Sequence, residues 1–289
     1  MIVYNPKSWI SLVFSFRKSD TIRILFIPII SMAIFTTLIA YVEINYLKNT
    51  DYLKNLMTVY SLIGFVISML LVFRTNTAYD RWWEGRKKWG ELINHSRNLS
   101  LKLVAIITDK EELNFYERMI PNFAFTMKTH LKNGIDNWQE LSLTADELKI
   151  LQSKEHVPAH IVKMIYGRIY ELKKTGKITE IDFLALNENL NALLDICGAC
   201  ERIKRTPIPY SYSMFLKKFI LLYVITIPIA LVPILGYLSA LIATFIFYIL
   251  MSIEIIAEEI EDPFGDDDND LPTDVMSTNI KRNVSEIMN

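Results

Sequence analysis

Acidic residues are concentrated between Glu254 and Asp274, and this stretch has the residue types best suited to binding an ion. Carboxylates in a turn that contains glycine suit Ca²⁺, which takes about six to eight oxygen ligands. The carboxylates around the turn Pro263-Phe264-Gly265 are Glu258, Glu259, Glu261, Asp262, Asp266, Asp267, Asp268 and Asp270. The spacing is not that of an EF-hand, because the sixth position counted from Asp266 is Leu271 rather than glycine. Composition alone leaves two interpretations, a calcium site and a solvated acidic loop.

Two further groups have residue types that bind metals or take part in redox reactions. Cys197 and Cys200, the only cysteines, form one C-x-x-C pair, which without a second pair is more typical of two packed thiols. His156 and His160 could reach one metal from a helix, but Pro158 between them argues against a regular helix there. There is no Ser-His-Asp signature, no H-E-x-x-H motif and no P-loop, so we predict that the protein is not an enzyme.

Long uncharged runs indicate that membrane helices position these residues. Residues 24–42 and 55–73 contain no charged side chain, and residues 219–253 form a still longer uncharged run. Because a bilayer core about 30 Å thick requires about 20 apolar residues as helix, each of the first two runs predicts one span. The third run is long enough for two helices that turn near Pro233 and Gly236. We predict an all-α integral membrane protein with four membrane segments, at about 24–47, 55–74, 217–234 and 236–254.

The rest of the chain is polar and predicts a large helical part in water. Residues 75–216 are rich in charge, and apolar side chains between Trp89 and Ile106 recur at helical spacing. Residues 255–289 contain the acidic turn and a polar tail, which we expect to be mobile or to lie along a neighbouring subunit. No repeat or low-complexity linker divides the chain, so we predict one continuous unit over residues 1–289. The net charge of -1 gives no argument for a nucleic-acid partner.

Basic residues predict how the segments are oriented. Arg17, Lys18 and Arg23 precede the first segment, and a basic cluster that begins at Arg74 follows the second. The positive-inside rule places both in the cytoplasm, and four spans return the C-terminus to the same side of the cell (inner) membrane. Residues 9–16 predict an amphipathic helix on the membrane surface rather than a cleavable signal, and residues 48–51 predict a polar turn between the first two spans.

The second membrane segment is the first place to look for a pore. Phe65, Met69 and Phe73 are spaced four residues apart, so they share one helix face. If several copies surround an axis, such a face forms apolar rings that can gate conduction by dewetting. The alternative is that this face packs against another helix.

Three stretches together resemble the bestrophin family of ion channels. They are Phe73-Arg74-Thr75-Asn76-Thr77-Ala78-Tyr79-Asp80-Arg81-Trp82-Trp83-Glu84, the run from Cys197 to Ile203 leading into Thr206-Pro207-Ile208-Pro209, and the run from Ile260 to Pro272. Their order, their placement beside the membrane segments and the chain length match the compact bacterial members. The resemblance covers nearly the whole chain.

The resemblance implies a homopentamer around one central pore, with membrane lipid and permeating monovalent ions as its other partners. It implies that Phe65, Met69 and Phe73 line a narrow hydrophobic neck, and that Ile181 forms a second, cytoplasmic constriction. In animal members the acidic stretch binds calcium, and the matching positions here are Asp267 and Asp270, with Asp262 and Glu259 as nearby contributors. No cofactor is required, and Ca²⁺ at the acidic turn is the candidate ligand. Asn269 interrupts the acidic run and leaves calcium control open.

The predicted function is passive conduction of small monovalent ions, with chloride as the general expectation for this family. Two alternatives stay open. One is a channel for monovalent cations such as Na⁺, because bacterial relatives can prefer cations. The other is a non-conducting, calcium-responsive membrane scaffold, which would keep the acidic turn but need no pore.

Overall fold

The computed structural model describes residues 21–47, 53, 55–132 and 138–289, and within these ranges the regular structure is helical throughout. In chain order the α-helices are α1 (Thr21–Tyr46), α2 (Leu56–Ile106), α3 (Lys110–Leu131), α4 (Ala145–Gln152), α5 (Val157–Lys174), α6 (Glu180–Arg205), α7 (Tyr210–Leu235), α8 (Leu238–Glu261) and α9 (Thr273–Met288). A short 3₁₀ helix, Trp138–Glu140, precedes α4. The predicted surface helix at 9–16 and the polar turn at 48–51 lie outside the described residues.

Helices α1, α2, α7 and α8 each contain a segment long and apolar enough to cross a membrane. The most apolar 18-residue window of each has a mean hydropathy of 2.3, yet only 11% of that window is buried in α2 and 39% in α7. Large apolar surfaces of this kind belong in lipid or against another subunit. The predictions of an all-α membrane protein and of four membrane segments are confirmed.

The contacts divide the chain into two compact units. The first comprises the chain up to residue 81 with 207–262 and 267–269, and the second comprises 82–206, 263–266 and 270–289. In the first unit α8 packs against α1 and α7, and α1 packs against α7. Its buried apolar core consists of Leu25, Met32, Ile67, Leu71, Leu216, Ile220, Val224, Ile227, Leu231, Ala243, Phe247 and Leu250.

The tight turn between α7 and α8 was predicted from Pro233 and Gly236. Helix α7 ends at Leu235, and Gly236 has φ of 56°, in the left-handed region that glycine adopts without steric cost. The Gly236 N–H donates to the carbonyl of Val232 over 2.8 Å, which satisfies one of the last carbonyls of α7. Helix α8 then begins at Leu238, so the two helices are joined by two residues.

The second unit is built around the predicted apolar stripe of α2. Trp89, Leu92, Leu99 and Leu103 are fully buried in its core. Helix α3 packs against α5, α6 and α9, and α5 packs against α4 and α6. Thr144 and Thr179 start α4 and α6 with capping boxes, in which each threonine hydroxyl accepts from the backbone and an acidic side chain accepts from the threonine N–H. The sequence therefore sets these helix starts locally.

The polar tail forms a packed helix, so the expectation that it is mobile was wrong. Its contact with a neighbouring subunit stays a prediction. Residues 273–288 form α9, which packs against α3 of its own unit. Met276, Ile280 and Val284 are spaced four residues apart and are buried in the core of the second unit. Their spacing is the sequence signal for an amphipathic helix, although the residues between them are polar.

Candidate functional site

The face of α2 that carries Phe65, Met69 and Phe73 is exposed in the subunit. The relative exposures of these side chains are 66%, 50% and 54%. Three large apolar side chains at successive turns of one helix thus lie without cover within the described chain. We call these three residues the neck face. The structure leaves their role as pore lining a prediction.

The opposite face of α2 is buried in the first unit. Ile67, Leu71, Arg74 and Ala78 are each 2% exposed or less. At 100° per residue, their mean direction lies about 170° around the helix from that of the neck face. The helix is therefore anchored on one side, and the neck face is the side that points away from its own subunit.

The polar residues beside the neck face are satisfied inside the helix. Ser61 donates to the carbonyl of Met57 and Ser68 donates to the carbonyl of Gly64, each over 2.8 Å. A Cβ atom at Gly64 would lie 2.8 Å from the hydroxyl oxygen of Tyr223 on α7, so glycine permits this close approach of the two helices. The serine hydroxyls are engaged, and the neck face presents mainly apolar surface.

The three sequence motifs meet at one carboxylate, Glu261, which sequence reasoning did not single out. Its Oε2 lies 2.6 Å from Nη2 of the buried Arg74, and its Oε1 accepts from the Ile208 N–H over 2.7 Å. Its backbone carbonyl accepts from Nε of Arg81 over 3.0 Å. A second acid, Glu254, is 2% exposed, with Oε1 3.7 Å from Nε of Arg74. The buried Arg74 charge is costly without carboxylate partners, so its ion pairs with Glu254 and Glu261 hold the end of α8 against α2.

The four predicted calcium ligands occupy different environments. Asp267 is exposed, whereas Asp270 is 2% exposed. Asp262 follows the last residue of α8, and the Glu259 carboxylate accepts from the Asn269 amide over 2.6 Å. The amide that interrupts the acidic run thus holds one of the proposed ligands within the first unit.

Within the described chain, the side chains of the acidic turn do not form a group of three ligand atoms close enough to share a metal. Three of the four predicted ligands belong to the first unit, and Asp270 belongs to the second. Asp266 is paired with Lys132, with Oδ1 2.5 Å from Nζ. The calcium site stays a prediction.

A glycine on α2 permits close packing of the turn that begins the acidic stretch. A Cβ atom at Gly85 would lie 3.1 Å from Phe264, 3.2 Å from Pro263 and 3.3 Å from Leu271. The Leu271 N–H donates to the carbonyl of Pro263 over 2.9 Å and closes the turn. Phe264 is 1% exposed and anchors the turn in the core of the second unit.

Ile181 lies in the first turn of α6 and is 78% exposed. Ile181 is therefore not buried between the helices of its own subunit. The capping box of Thr179 and Asp182 fixes the backbone on both sides of it, since the Thr179 N–H donates to Oδ2 of Asp182 over 2.9 Å. Leu184, one turn later, is also exposed. Ile181 is thus an exposed aliphatic side chain on a well-capped helix start, and its role as a constriction stays a prediction.

The C-x-x-C pair is packed, as the sequence analysis favoured. Cys197 and Cys200 are buried free thiols in the core of the second unit. Burial raises the pKa of Cys197 to about 12, and the negative charge of Glu201 adds to this effect. Burial also raises the pKa of Cys200. Thiols that stay protonated at neutral pH are poor nucleophiles.

Pro158 does not prevent a helix, contrary to the prediction. Helix α5 begins at Val157, and Pro158 lies in its first turn, where a missing N–H leaves no intrahelical bond unmade. His156 is the N-cap of α5, and Nδ1 of His160 donates to the His156 carbonyl over 3.1 Å. The side-chain partners of His156 are instead His130 and Glu201, which sequence spacing could not reveal.

Comparison with known proteins places these features in a family. A family model described as "Bacterial/Fungal Bestrophin protein" matches residues 1–286. A voltage-dependent anion channel-forming protein of a Nostoc species is 37% identical over 231 residues, which cover 78% of this chain and 75% of the relative. A protein with the same description from Escherichia coli is 30% identical and covers 97% of this chain and 92% of the relative.

Solved structures of bacterial bestrophin homologues are also similar to this chain. A crystal structure of a bacterial bestrophin homologue from Klebsiella pneumoniae has a TM-score of 0.83 with 26% sequence identity. The match covers 93% of this chain and 98% of that chain. The similarity therefore extends over both units and is not limited to the membrane helices.

Proposed function

This chain belongs to the bacterial and fungal bestrophin family, and we propose that it is a homopentameric channel that passively conducts small monovalent anions, chloride above all. The relatives described as voltage-dependent anion channel-forming proteins support the sign of the permeating ion. The observation in the structure that carries the proposal is the neck face of α2. It is exposed, apolar and opposite the face that anchors the helix.

Five copies of the neck face around one axis would form three stacked apolar rings. Such rings offer an ion no replacement for its hydration shell, so a narrow neck of this kind is a dehydration barrier. An apolar ring also carries no fixed charge, and it therefore discriminates weakly between anions and cations. Selectivity for anions must then come from helix-end dipoles, ring edges or basic residues elsewhere along the pathway.

The reversal potential of the purified, reconstituted protein tests the proposed function. With a chloride salt gradient across a planar bilayer, we expect a reversal potential of the sign that anion permeation produces. The opposite sign would identify a cation channel, the first alternative. Protein that inserts but passes no current would favour the non-conducting scaffold.

The proposed placement is the cell's inner membrane, with both termini in the cytoplasm. The basic cluster that begins at Arg74 and the even number of candidate membrane helices in the described chain support this orientation. The polar second unit would then lie in the cytoplasm.

Mass measurement of the detergent-solubilised assembly tests the pentamer, which should have five times the 33.6 kDa mass of one chain.

Replacing Ile181 with threonine should alter permeation without weakening the fold. Since Ile181 is 78% exposed, its substitution opens no cavity, and we expect a stability change within about 0.5 kcal/mol. If five copies line a constriction, a hydroxyl at each position wets the ring and should raise the current or change the permeability ratio. Leu184→Thr is the matched control, because Leu184 is exposed on the same helix one turn later. Equal currents from both variants and the unmutated channel would remove Ile181 from the pathway.

We also propose that the acidic turn binds Ca²⁺ through Asp267 and Asp270, with Asp262 and Glu259 nearby. The proposal is supported by the buried position of Asp270 and by the hydrogen bond from the Leu271 N–H to the Pro263 carbonyl, which closes the turn next to it. The Asn269 amide on Glu259 counts against high affinity, because it occupies one of the available oxygens.

Added Ca²⁺ should raise the melting temperature of the purified protein if this site exists. Ligand at about 100 times its Kd stabilises the folded state by about 2.7 kcal/mol. Asp267→Asn should abolish the shift with little effect on the unliganded protein, because Asp267 is exposed. Asp268→Asn is the control, since its side chain is also exposed in the same turn but is not a predicted ligand. An absence of any Ca²⁺-dependent shift leaves the solvated-loop interpretation.

A further inference from the structure

Three side chains from three different helices of the second unit converge on one point. His130 lies in the last turn of α3, His156 is the N-cap of α5, and Glu201 lies near the end of α6. Nε2 of His130 is 2.5 Å from Oε1 of Glu201, and Nε2 of His156 is 3.1 Å from the same oxygen. The imidazole centroids are 4.5 Å apart. One ligand atom from each residue lies within 4.8 Å of the other two.

We propose that His130, His156 and Glu201 bind a divalent transition-metal ion, with Zn²⁺ as the ion that suits them best. Two imidazole nitrogens and one carboxylate oxygen form a set of three protein ligands that leaves a fourth tetrahedral position open. Imidazole favours zinc and its neighbours in the first transition row, whereas Ca²⁺ and Mg²⁺ require mainly oxygen. This site is separate from the acidic turn and does not rest on the proposed channel function.

The surrounding helices hold the three ligands in place before any ion arrives. Helices α3, α5 and α6 all pack against one another in the core of the second unit. The three side chains are partly buried, with exposures of 19%, 39% and 21% in the order given above. The ligands are therefore carried by rigid elements, yet His156 leaves the group accessible from solvent.

Glu201 has the charge state that a metal ligand needs. Burial opposes its ionisation, but the hydrogen bond with His130 and the charges of His156, His130 and Arg205 together lower its pKa. The side chain is thus a carboxylate at neutral pH. Arg202, Lys204 and Arg205 follow Glu201 on α6, and the positive charge of Arg205 opposes a bound cation.

Metal binding replaces three hydrogen bonds, namely the bonds from Nε2 of His130 and Nε2 of His156 to Glu201 and the cap bond of His156. Nδ1 of His156 accepts from the N–H of Ala159 over 3.2 Å, so the proton of the neutral ring lies on Nε2 and points to Glu201. An ion bound at Nε2 of His156 moves that proton to Nδ1, which ends the cap hydrogen bond. His130 requires the same shift of its proton from Nε2 to Nδ1. Three metal–ligand bonds would replace these hydrogen bonds.

The alternative is a purely structural contact, in which two imidazoles donate to one carboxylate and tie three helices together. Isothermal titration of the EDTA-treated, purified full-length protein with Zn²⁺ separates the two. We expect saturable binding of one ion per subunit, with no competition from Ca²⁺ at the same concentration. Absence of saturable binding would overturn the proposal.

Three variants each remove one ligand while keeping the local structure. His130→Gln and Glu201→Gln keep a hydrogen-bonding side chain of similar length, and His156→Asn keeps a residue that caps helices well. Each should weaken Zn²⁺ binding by at least about 100-fold, since even residues that only orient ligands change affinity by about 10–100-fold. The melting temperature of each variant without metal verifies that it folds, and folded variants decide the result.

His160→Gln is the matched control, because it removes an imidazole from the same helix that is not part of the group. It should leave the affinity for Zn²⁺ within a few-fold of the unmutated value. Binding that is unchanged in all of the ligand variants would be adventitious binding to the surface and would overturn the proposal. So would binding that depends on His160 and not on His130.

Discussion

Channels in which Phe65, Met69 and Phe73 are all replaced by alanine should pass about ten times more current than the unmutated protein, or more. The reason is the dehydration barrier, since a wider ring lets an ion keep more of its water. Lowering such a barrier by about 1.4 kcal/mol already corresponds to a tenfold rate. Stability should change little, because all three side chains are at least half exposed in the subunit. Single-channel recordings of the purified, reconstituted variant provide the measurement.

The control for the neck variant is a second triple substitution of the same kind. Leu241, Phe245 and Ile249 on α8 are also spaced four residues apart and exposed, at 68%, 60% and 39%. Their replacement by alanine removes similar apolar surface from a different membrane helix and should leave single-channel conductance unchanged. If the two triple variants behave alike, the neck face has no special place in the ion pathway.

Replacing Arg74 with methionine should destabilise the protein by about 3–5 kcal/mol, the typical cost of leaving buried charges without their partner. Arg74 is 1% exposed, and its partners Glu254 and Glu261 are 2% and 14% exposed. Methionine fills similar volume but supplies neither charge nor hydrogen-bond donors. The loss should be visible as a lower melting temperature and as a smaller folded fraction after purification.

Two substitutions separate this effect from a general cost of removing a positive charge. Lys88→Met removes one member of an ion pair with Glu91 that is 28% and 45% exposed, and it should cost less than about 1 kcal/mol. Arg74→Lys keeps the charge but loses the planar guanidinium, so its cost should lie between the other two. A cost for Arg74→Met as small as that of Lys88→Met would show that the buried pair contributes little.

The membrane helices could be predicted from the sequence because the signal is local. Runs of about 20 residues without charge need no knowledge of the fold, and glycine at 236 marks a turn by its own backbone freedom. Helix ends were less accurate, since α7 begins at Tyr210 and α8 continues to Glu261, beyond the uncharged run. The polar residues beyond the uncharged run do not indicate, by their own sequence, at which residue a membrane helix begins or ends.

The contacts between distant residues could not be predicted in this way. Glu261 was one acid among many in its stretch, and only the fold brings it to Arg74 and the Ile208 N–H. His130 and Glu201 are likewise 71 positions apart in the sequence. By contrast, α9 was not predicted although Met276, Ile280 and Val284 have the four-residue spacing of an amphipathic helix. The many polar residues around them made the segment resemble a solvated tail.

The Arg74–Glu261 contact also has a consequence for how the chain is made. About 190 residues separate the two positions, so at ordinary rates of synthesis Arg74 emerges from the ribosome roughly 10–40 s before its partner. During that interval Arg74, at the end of the second membrane segment, lacks the Glu254 and Glu261 carboxylates with which it pairs in the folded protein. The nascent chain must keep Arg74 at the water-facing end of the segment until α8 is inserted. A chain truncated before α8 would lack both Glu254 and Glu261, so Arg74 would never gain these two partners.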